Sequence, residues 1–472
     1  MNTLYLVNAQ IIDGSGADPI QDGWLRIERG RITATGRGPV TTGCQPVLDV
    51  GGRTVIPGLI DAHTHLAATE MLNLVDTVSR PVLAAKTFAN LRQTLEAGFT
   101  TVRDAGFTDY GFKEAVEQGL VPGPRMFLAT GPLSQTGGHG DFRPAGDQER
   151  QRRSDGLYHP GVIVDGVAQC QWGAREVLRR GADQIKIMAG GGCTSPTDHV
   201  THTQFTAEEI AVVVHEARAR HTYVMAHGYT PESIGACVAA GVRSIEHANL
   251  VDERAAEAMA AAGTFAVPTI ATFDLLVSDG QAQGLTADSA AQAAHVLARA
   301  YEALRILVDK GVRIASGSDV LGAHQPFKAL ELRLKASVLG PMGALVAATR
   351  TNAELLGLKD LGTLETGKIA DLVVVDGDPL DDISVLQDSD RIHLVVKNGR
   401  AVVDRAGLAL GSGGDRGGEL TGASSAGVVT TATDSGRSQA PARSALSQDD
   451  DGHHPRGVRG PSPPAERGRS FQ

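Results

Sequence analysis

Residues 59–65 read Leu-Ile-Asp-Ala-His-Thr-His, and the imidazoles of His63 and His65 are the side chains whose spacing most directly suggests chemistry. The apolar approach over residues 55–60 has the composition of a short buried strand. Residues two apart on a strand point the same way, so this spacing would present two imidazoles on one face at the strand's end. Two such nitrogens suit a shared metal ion. One HxH among 15 histidines is a common accident. The pair gains meaning only if other segments supply matching ligands.

Four further apolar runs do so. Residues 184–188 pass through Lys186, residues 223–227 end at His227, residues 244–247 end at His247, and residues 313–319 end at Asp319. The histidines and the aspartate are metal ligands as they stand. Lys186 is different, because an ammonium repels cations. Its neighbours Ile185, Ile187 and Met188 are apolar, and burial favours the neutral amine. A neutral amine can add carbon dioxide to give a carbamate, an anionic ligand with two oxygens able to bridge two metals. A buried lysine paired with a carboxylate is the alternative reading of the same position.

Positioning these residues requires a set of equivalent strand ends. Between residues 57 and 360, short β-type runs (also at 101–104, 125–129 and 265–268) alternate with segments long enough for crossover helices, such as 207–220 and 231–240. Eight βα units over that span predict a (β/α)8 TIM-type barrel, in which polar residues at strand C-termini form the active site. A doubly wound open sheet is the competing architecture, but the Gly-rich dinucleotide fingerprint is missing after the first strand. Residues 1–56 and 361–408 carry short alternating segments divided by Gly-containing turns, each set too small to bury a core alone. They are expected to combine into one small β-sandwich domain. Residues 409–472 are rich in Gly, Ser, Pro and Arg and are expected to be a disordered tail, its His453 and His454 solvated.

With Asp61-Ala62-His63-Thr64-His65, Lys186, His227, His247 and Asp319 flanked by two terminal half-sheets, the chain resembles the amidohydrolase superfamily over residues 1 to 408. Residues 137–143 (Gly-Gly-His-Gly-Asp-Phe-Arg), 186–192 (Lys-Ile-Met-Ala-Gly-Gly-Gly), 195–198 (Ser-Pro-Thr-Asp) and 226–229 (Ala-His-Gly-Tyr) are similar to the branch of Xaa-Pro dipeptidases and related metallocarboxypeptidases, neighbours of imidazolonepropionase. The resemblance implies a binuclear centre, with zinc the default and manganese or cobalt able to substitute. His63, His65 and Asp319 would hold the more buried ion, His227 and His247 the other, and carboxylated Lys186 would bridge them. Asp319 would act as general base and then general acid. His139 and Tyr229 would contact a substrate carboxylate or carbonyl oxygen; as plain residues they read as a loop histidine and a packing aromatic.

Other polar residues are expected to be inert. His199, His202 and His324 read as solvated loop histidines, Asp141 and Arg143 as an ion pair supporting a loop, and Cys193 as a thiol with no activating base. Glu208 and Glu209 fit the first turn of a helix. The glycines at 190–192 allow close backbone approach but lack the spacing of a phosphate loop.

Composition sets the remaining bounds. The 472 residues include 42% hydrophobic and 21% charged residues, with a net charge of -10. These values suit a globular protein and give no basic surface for nucleic acid. No run is long enough to span a bilayer, and no signal peptide is evident. The four cysteines form no CxxC, so a reducing cytoplasm is the expected compartment. Homo-oligomerisation is suggested by family analogy alone. The expectation is therefore a binuclear metal-dependent hydrolase cleaving an amide, in an Xaa-Pro or Xaa-Arg/Lys dipeptide or an N-acyl amino acid. Two rivals stand beside it: a mononuclear cyclic-amide hydrolase or deaminase, in which a lysine like Lys186 is commonly missing, and a non-catalytic scaffold, which should show a broken ligand set.

Overall fold

A computed structural model of the chain describes residues 3–72, 74–149, 156–405 and 407. The tail reading for residues 409–472 lies outside the described residues. Strands Leu59–Thr64, Phe99–Asp104 and Arg125–Leu128 pair in parallel as one sheet. A second parallel sheet runs in the order Val162–Ile163, Leu133–Ser134, Ile185–Met188, Val224–Gly228, Ser244–His247, Phe265–Val267, Arg313–Ile314. Backbone hydrogen bonds join the sheets at one seam, from Ala62 N–H to Ser316 C=O (2.9 Å) and from Asp319 N–H to His63 C=O (2.8 Å). This is a mixed α/β architecture of the TIM type, its parallel strands divided between two sheets.

Two of these strands, Leu133–Ser134 and Val162–Ile163, were not expected. At two residues each they carry no readable period. The run ending at Asp319 is also shorter than expected, since strand pairing stops at Ile314 and the chain continues irregularly to the aspartate.

The crossover helices carry their own start and stop signals. Ala207–Ala219 opens on a reciprocal capping box between Thr206 and Glu209, which satisfies otherwise unpaired N–H groups. Pro231–Ala240 has Thr230 as its cap and ends at Gly241, with φ 86°. Ile210, Val213, Ile234, Cys237, Ala256 and Met259 pack on Ile185, Ile187, Val224, Ala226 and Ile245. That packed layer fixes where the strand ends stop. No described helix is long and apolar enough to cross a membrane.

Both chain ends build the other sheet, which has eight strands. Its path runs Arg400–Asp404, Ile392–Lys397, Leu372–Val375, Thr54–Pro57, Leu4–Ile11, Ile20–Glu28, Arg31–Arg37, with Val47–Asp49 alongside Leu4–Ile11. The centre of this sheet is the antiparallel pairing of Thr54–Pro57 with Leu372–Val375. Hydrogen bonding thus makes one continuous sheet of what the sequence predicts as a sandwich. Only Gly58 separates Thr54–Pro57 from Leu59–Thr64, and a Cβ there would lie 2.3 Å from Thr100 Oγ1.

Candidate metal centre

The strand ends bring His63, His65, Lys186, His227, His247 and Asp319 to one cavity, which His139 and Tyr229 also line. His63 and His65 leave the end of Leu59–Thr64 on the same side, their ring centroids 5.3 Å apart. Asp319 Oδ1 lies 3.5 Å from His63 Nε2 and 3.2 Å from His65 Nε2. One ligand atom from each of these three residues falls within 4.8 Å of the others. The His247 ring lies 5.2 Å from that of His63 and 4.5 Å from that of His227.

The tautomers follow from what each outer nitrogen touches. His63 Nδ1 is 2.8 Å from Glu246 Oε2, and His65 Nδ1 is 3.1 Å from the Gly106 carbonyl. Both partners only accept, so the protons sit on Nδ1 and the Nε2 lone pairs face Asp319. His227 Nε2 is 2.9 Å from the Gly191 carbonyl, which leaves its Nδ1 as the free nitrogen. Burial first, and then the positive Lys186 and neighbouring imidazoles, hold His63, His227 and His247 well below the usual histidine range. Neutral rings have lone pairs to offer. The two Nε2 lone pairs and the Asp319 carboxylate would repel one another unless a cation lay between them, so this donor set fits a divalent metal.

Burial pushes the Lys186 amine down to about 8, even though Glu246 and Asp319 act in the opposite direction. It forms no hydrogen bond or ion pair with any described residue. The reading of Lys186 as a salt-bridged core lysine therefore does not hold. Burial opposes ionisation of Asp319, while the positive Lys186 nearby acts to hold its carboxyl below the usual carboxylate range.

Backbone strain clusters at the same place. His247, Thr269 and Asp319 have φ of 75°, 48° and 53°, a region that residues with side chains seldom occupy. For His247 the consequence is concrete. Adjacent strand residues normally face opposite ways, but this turn lets both Glu246 and His247 serve the centre. Thr269 Oγ1 reaches His247 Nδ1 at 2.7 Å.

Sequence reasoning missed the support beneath His63. Arg103, fully buried, donates to Ala62 C=O (2.6 Å), Ser244 Oγ (3.0 Å) and both Glu246 oxygens (2.9 and 3.0 Å). Glu246 in turn fixes the His63 tautomer. The available signal was an arginine and a glutamate inside otherwise apolar strands, since buried charges require partners.

A second network holds His139. Its Nδ1 lies 3.0 Å from Ser195 Oγ, and the Ser195 hydroxyl donates to Asp198 Oδ1. Gln204 accepts from His139 N–H at 3.0 Å and donates to Asp198 Oδ2 at 2.8 Å. The His139 ring sits 4.3 Å from that of His227, and that of Tyr229 sits 4.8 Å from His227. His324 departs from expectation: it is buried and paired with Asp279 at 2.5 Å, not solvated. Asp141 and Arg143 form the expected ion pair at 2.6 Å. Burial pushes the Cys193 thiol up to about 12, which leaves it no thiolate at neutral pH.

A TIM-type α/β frame with a His–His–Asp site at its strand ends defines a class of metal-dependent enzymes. Residues 54–402 match the amidohydrolase family, and the chain belongs to it, in the Xaa-Pro dipeptidase-like branch. It is a hydrolase acting on C–N bonds. Ochratoxinase of Aspergillus niger is 30% identical over 364 residues, 73% of this chain and 75% of that protein. A crystal structure of a prolidase complexed with N-methylphosphonate-L-proline is 41% identical, with a TM-score of 0.81, covering 85% of this chain and 99% of that one. A Xaa-Pro dipeptidase with methionine bound in its active site is 28% identical, with a TM-score of 0.77, covering 84% of this chain and 99% of that one.

Proposed function

We propose that the chain is a binuclear metal-dependent hydrolase that cleaves the amide of a dipeptide or N-acyl amino acid. The observation that carries this reading is the convergence of three histidine nitrogens with assigned lone pairs, His247, one carboxylate and one unpaired buried amine on a single cavity. His63, His65 and Asp319 would hold one ion and His227 and His247 a second, zinc being the default for this donor set. Lys186 would bridge them as a carbamate: its neutral nitrogen bonds to the carbon of carbon dioxide, and one N–H proton leaves to solvent. In this reading the parallel strands of the two sheets close into one eight-unit barrel over residues 57–360, and the terminal sheet is a β domain beside it.

When bound, the ions supply Lewis-acid polarisation of the scissile carbonyl and acidification of water at neutral pH. The chain's residues do the rest. Asp319 accepts the proton of the attacking water and returns it to the departing nitrogen, so that an amine leaves instead of an amide anion. His139, held through Ser195 and Asp198, and Tyr229 orient the polar end of the substrate. Gly106, Gly191 and Glu246 keep three imidazoles in the tautomers that donate lone pairs inward.

The test pairs metal analysis with hydrolysis of a dipeptide and N-acyl amino acid library. About two ions per chain are expected in the native protein, fewer in Lys186→Ala, and Asp319→Asn should lose about 10²–10⁴-fold in kcat. One ion per chain with activity surviving Lys186→Ala would overturn the binuclear reading.

A further inference from the structure

Strand pairing on the Asp319 side of the centre ends early, so other groups must hold the aspartate. The last ladder contact there is Ala266 with Ile314, which leaves residues 315–319 outside it, and Asp319 itself has φ 53°. A residue with a side chain keeps that conformation only where its surroundings fix it.

The segment around Asp319 is tied instead, step by step, to the segment around His63 and His65. Ahead of Asp319, the buried Asp61 carboxylate accepts from Ser318 N–H (3.0 Å), from the Ser318 hydroxyl (2.6 Å) and from His63 N–H (3.2 Å). Gly317 permits this approach, since a Cβ there would lie 2.4 Å from His63 Cβ. Behind Asp319, the Gln325 side chain donates from Nε2 to Val320 C=O (3.0 Å) and to His65 C=O (2.8 Å). One amide therefore joins the residue after Asp319 to the second histidine of the pair.

The orientation of that amide is also set. Lys328 Nζ lies 2.8 Å from Gln325 Oε1 and 2.9 Å from Thr64 Oγ1. An ammonium only donates and a carbonyl only accepts, so Oε1 must face Lys328 and Nε2 the two carbonyls. Gln325 and Lys328 are 3% and 1% exposed, and neither lines the cavity. A buried network of this kind is stable only when every donor meets its acceptor, which favours a single arrangement.

We propose that Gln325, oriented by Lys328, is a positioning residue for Asp319. Its amide fixes Val320 against His65 and so sets where the carboxylate stands relative to the His63 and His65 nitrogens. The inference rests on the metal-hydrolase reading above and adds to it a residue outside the cavity.

The test uses the full chain, with zinc alone as the ligand and then turnover of a dipeptide. Gln325→Glu keeps the volume and the contact with Lys328 but replaces both donated hydrogen bonds with an acceptor. In competition against a chelator, zinc binding should weaken by about 10–100-fold, and kcat should fall by about 100-fold with KM within about threefold. Gln325→Met removes the same donors without adding charge, should act in the same direction, and serves where the first variant folds poorly. Because the residue acts through Asp319, Gln325→Met added to Asp319→Ala should cost at most about threefold more in zinc affinity. Zinc affinity within about twofold of the unaltered chain in the folded variants, or full additivity with Asp319→Ala, overturns the inference. Weakened zinc binding in a chain that cleaves no amide supports it and instead removes the amide-hydrolase reading.

Discussion

Lys186 concentrates the chemistry of the site in one atom. Burial moves its amine from an ordinary 10.5 to about 8, so below pH 8 the folded metal-free protein carries an unpaired buried ammonium. The corresponding destabilisation is on the order of 3 kcal/mol and is present in full while both folded and unfolded states are protonated. Between about pH 8 and 10.5 the folded state has released the proton and the unfolded state has not, so stability rises with pH across that window. Lys186→Met should therefore stabilise the metal-free protein at pH 7, with an advantage that shrinks toward pH 10.5 in denaturant titrations at each pH. An advantage that grows with pH would mean the amine is paired. His63 depends on a different kind of support, because Arg103 and Glu246 set its tautomer without touching the cavity.

At the scale of elements, the loops that follow the strands approach one another more closely than side chains allow. Gly192, in the loop after Ile185–Met188, packs against the His139 ring, and a Cβ there would lie 2.0 Å from its Cε1 and Nδ1. Gly192→Ala should displace His139 while leaving the histidines and Asp319 in place. The expected result is a fall of about 100-fold in kcat/KM with unchanged metal content, measured side by side. Metal loss together with activity would show that the two loops are not separable from the centre. The residues that meet at the cavity were legible in the sequence because each closes an apolar run with a residue type able to bind metal, as at His227 and His247. The alternation rule, by contrast, hid Glu246: it sits next to His247, and only the positive φ of His247 lets both serve one site. The Ser195–Asp198 support of His139 was visible as a segment but not as a hydrogen-bonded relay. Contacts between residues 56 positions apart depend on loop conformation, which carries no period.

At the scale of the molecule, the terminal sheet and the metal centre share one stretch of chain. Thr54–Pro57 is paired with Leu372–Val375 on one side of Gly58, and Leu59–Thr64 carries His63 on the other. Leu372 is fully buried, and Leu372→Ala should cost about 2–5 kcal/mol although it lies in a different sheet from the metal residues. Tryptophan fluorescence and metal release followed through the same denaturant titration should show coincident transitions; metal retained after the sheet has melted would separate the two. Pairing between the two ends also bears on how the protein is made. The strand that leads into His63 is synthesised early, yet its antiparallel partner is complete only when residue 375 has been added. For most of translation one edge of Thr54–Pro57, just ahead of His63, thus lacks its partner and is open to wrong ones. The stretch that carries the first candidate ligands therefore gains its neighbours in two stages, Phe99–Asp104 early and Leu372–Val375 late.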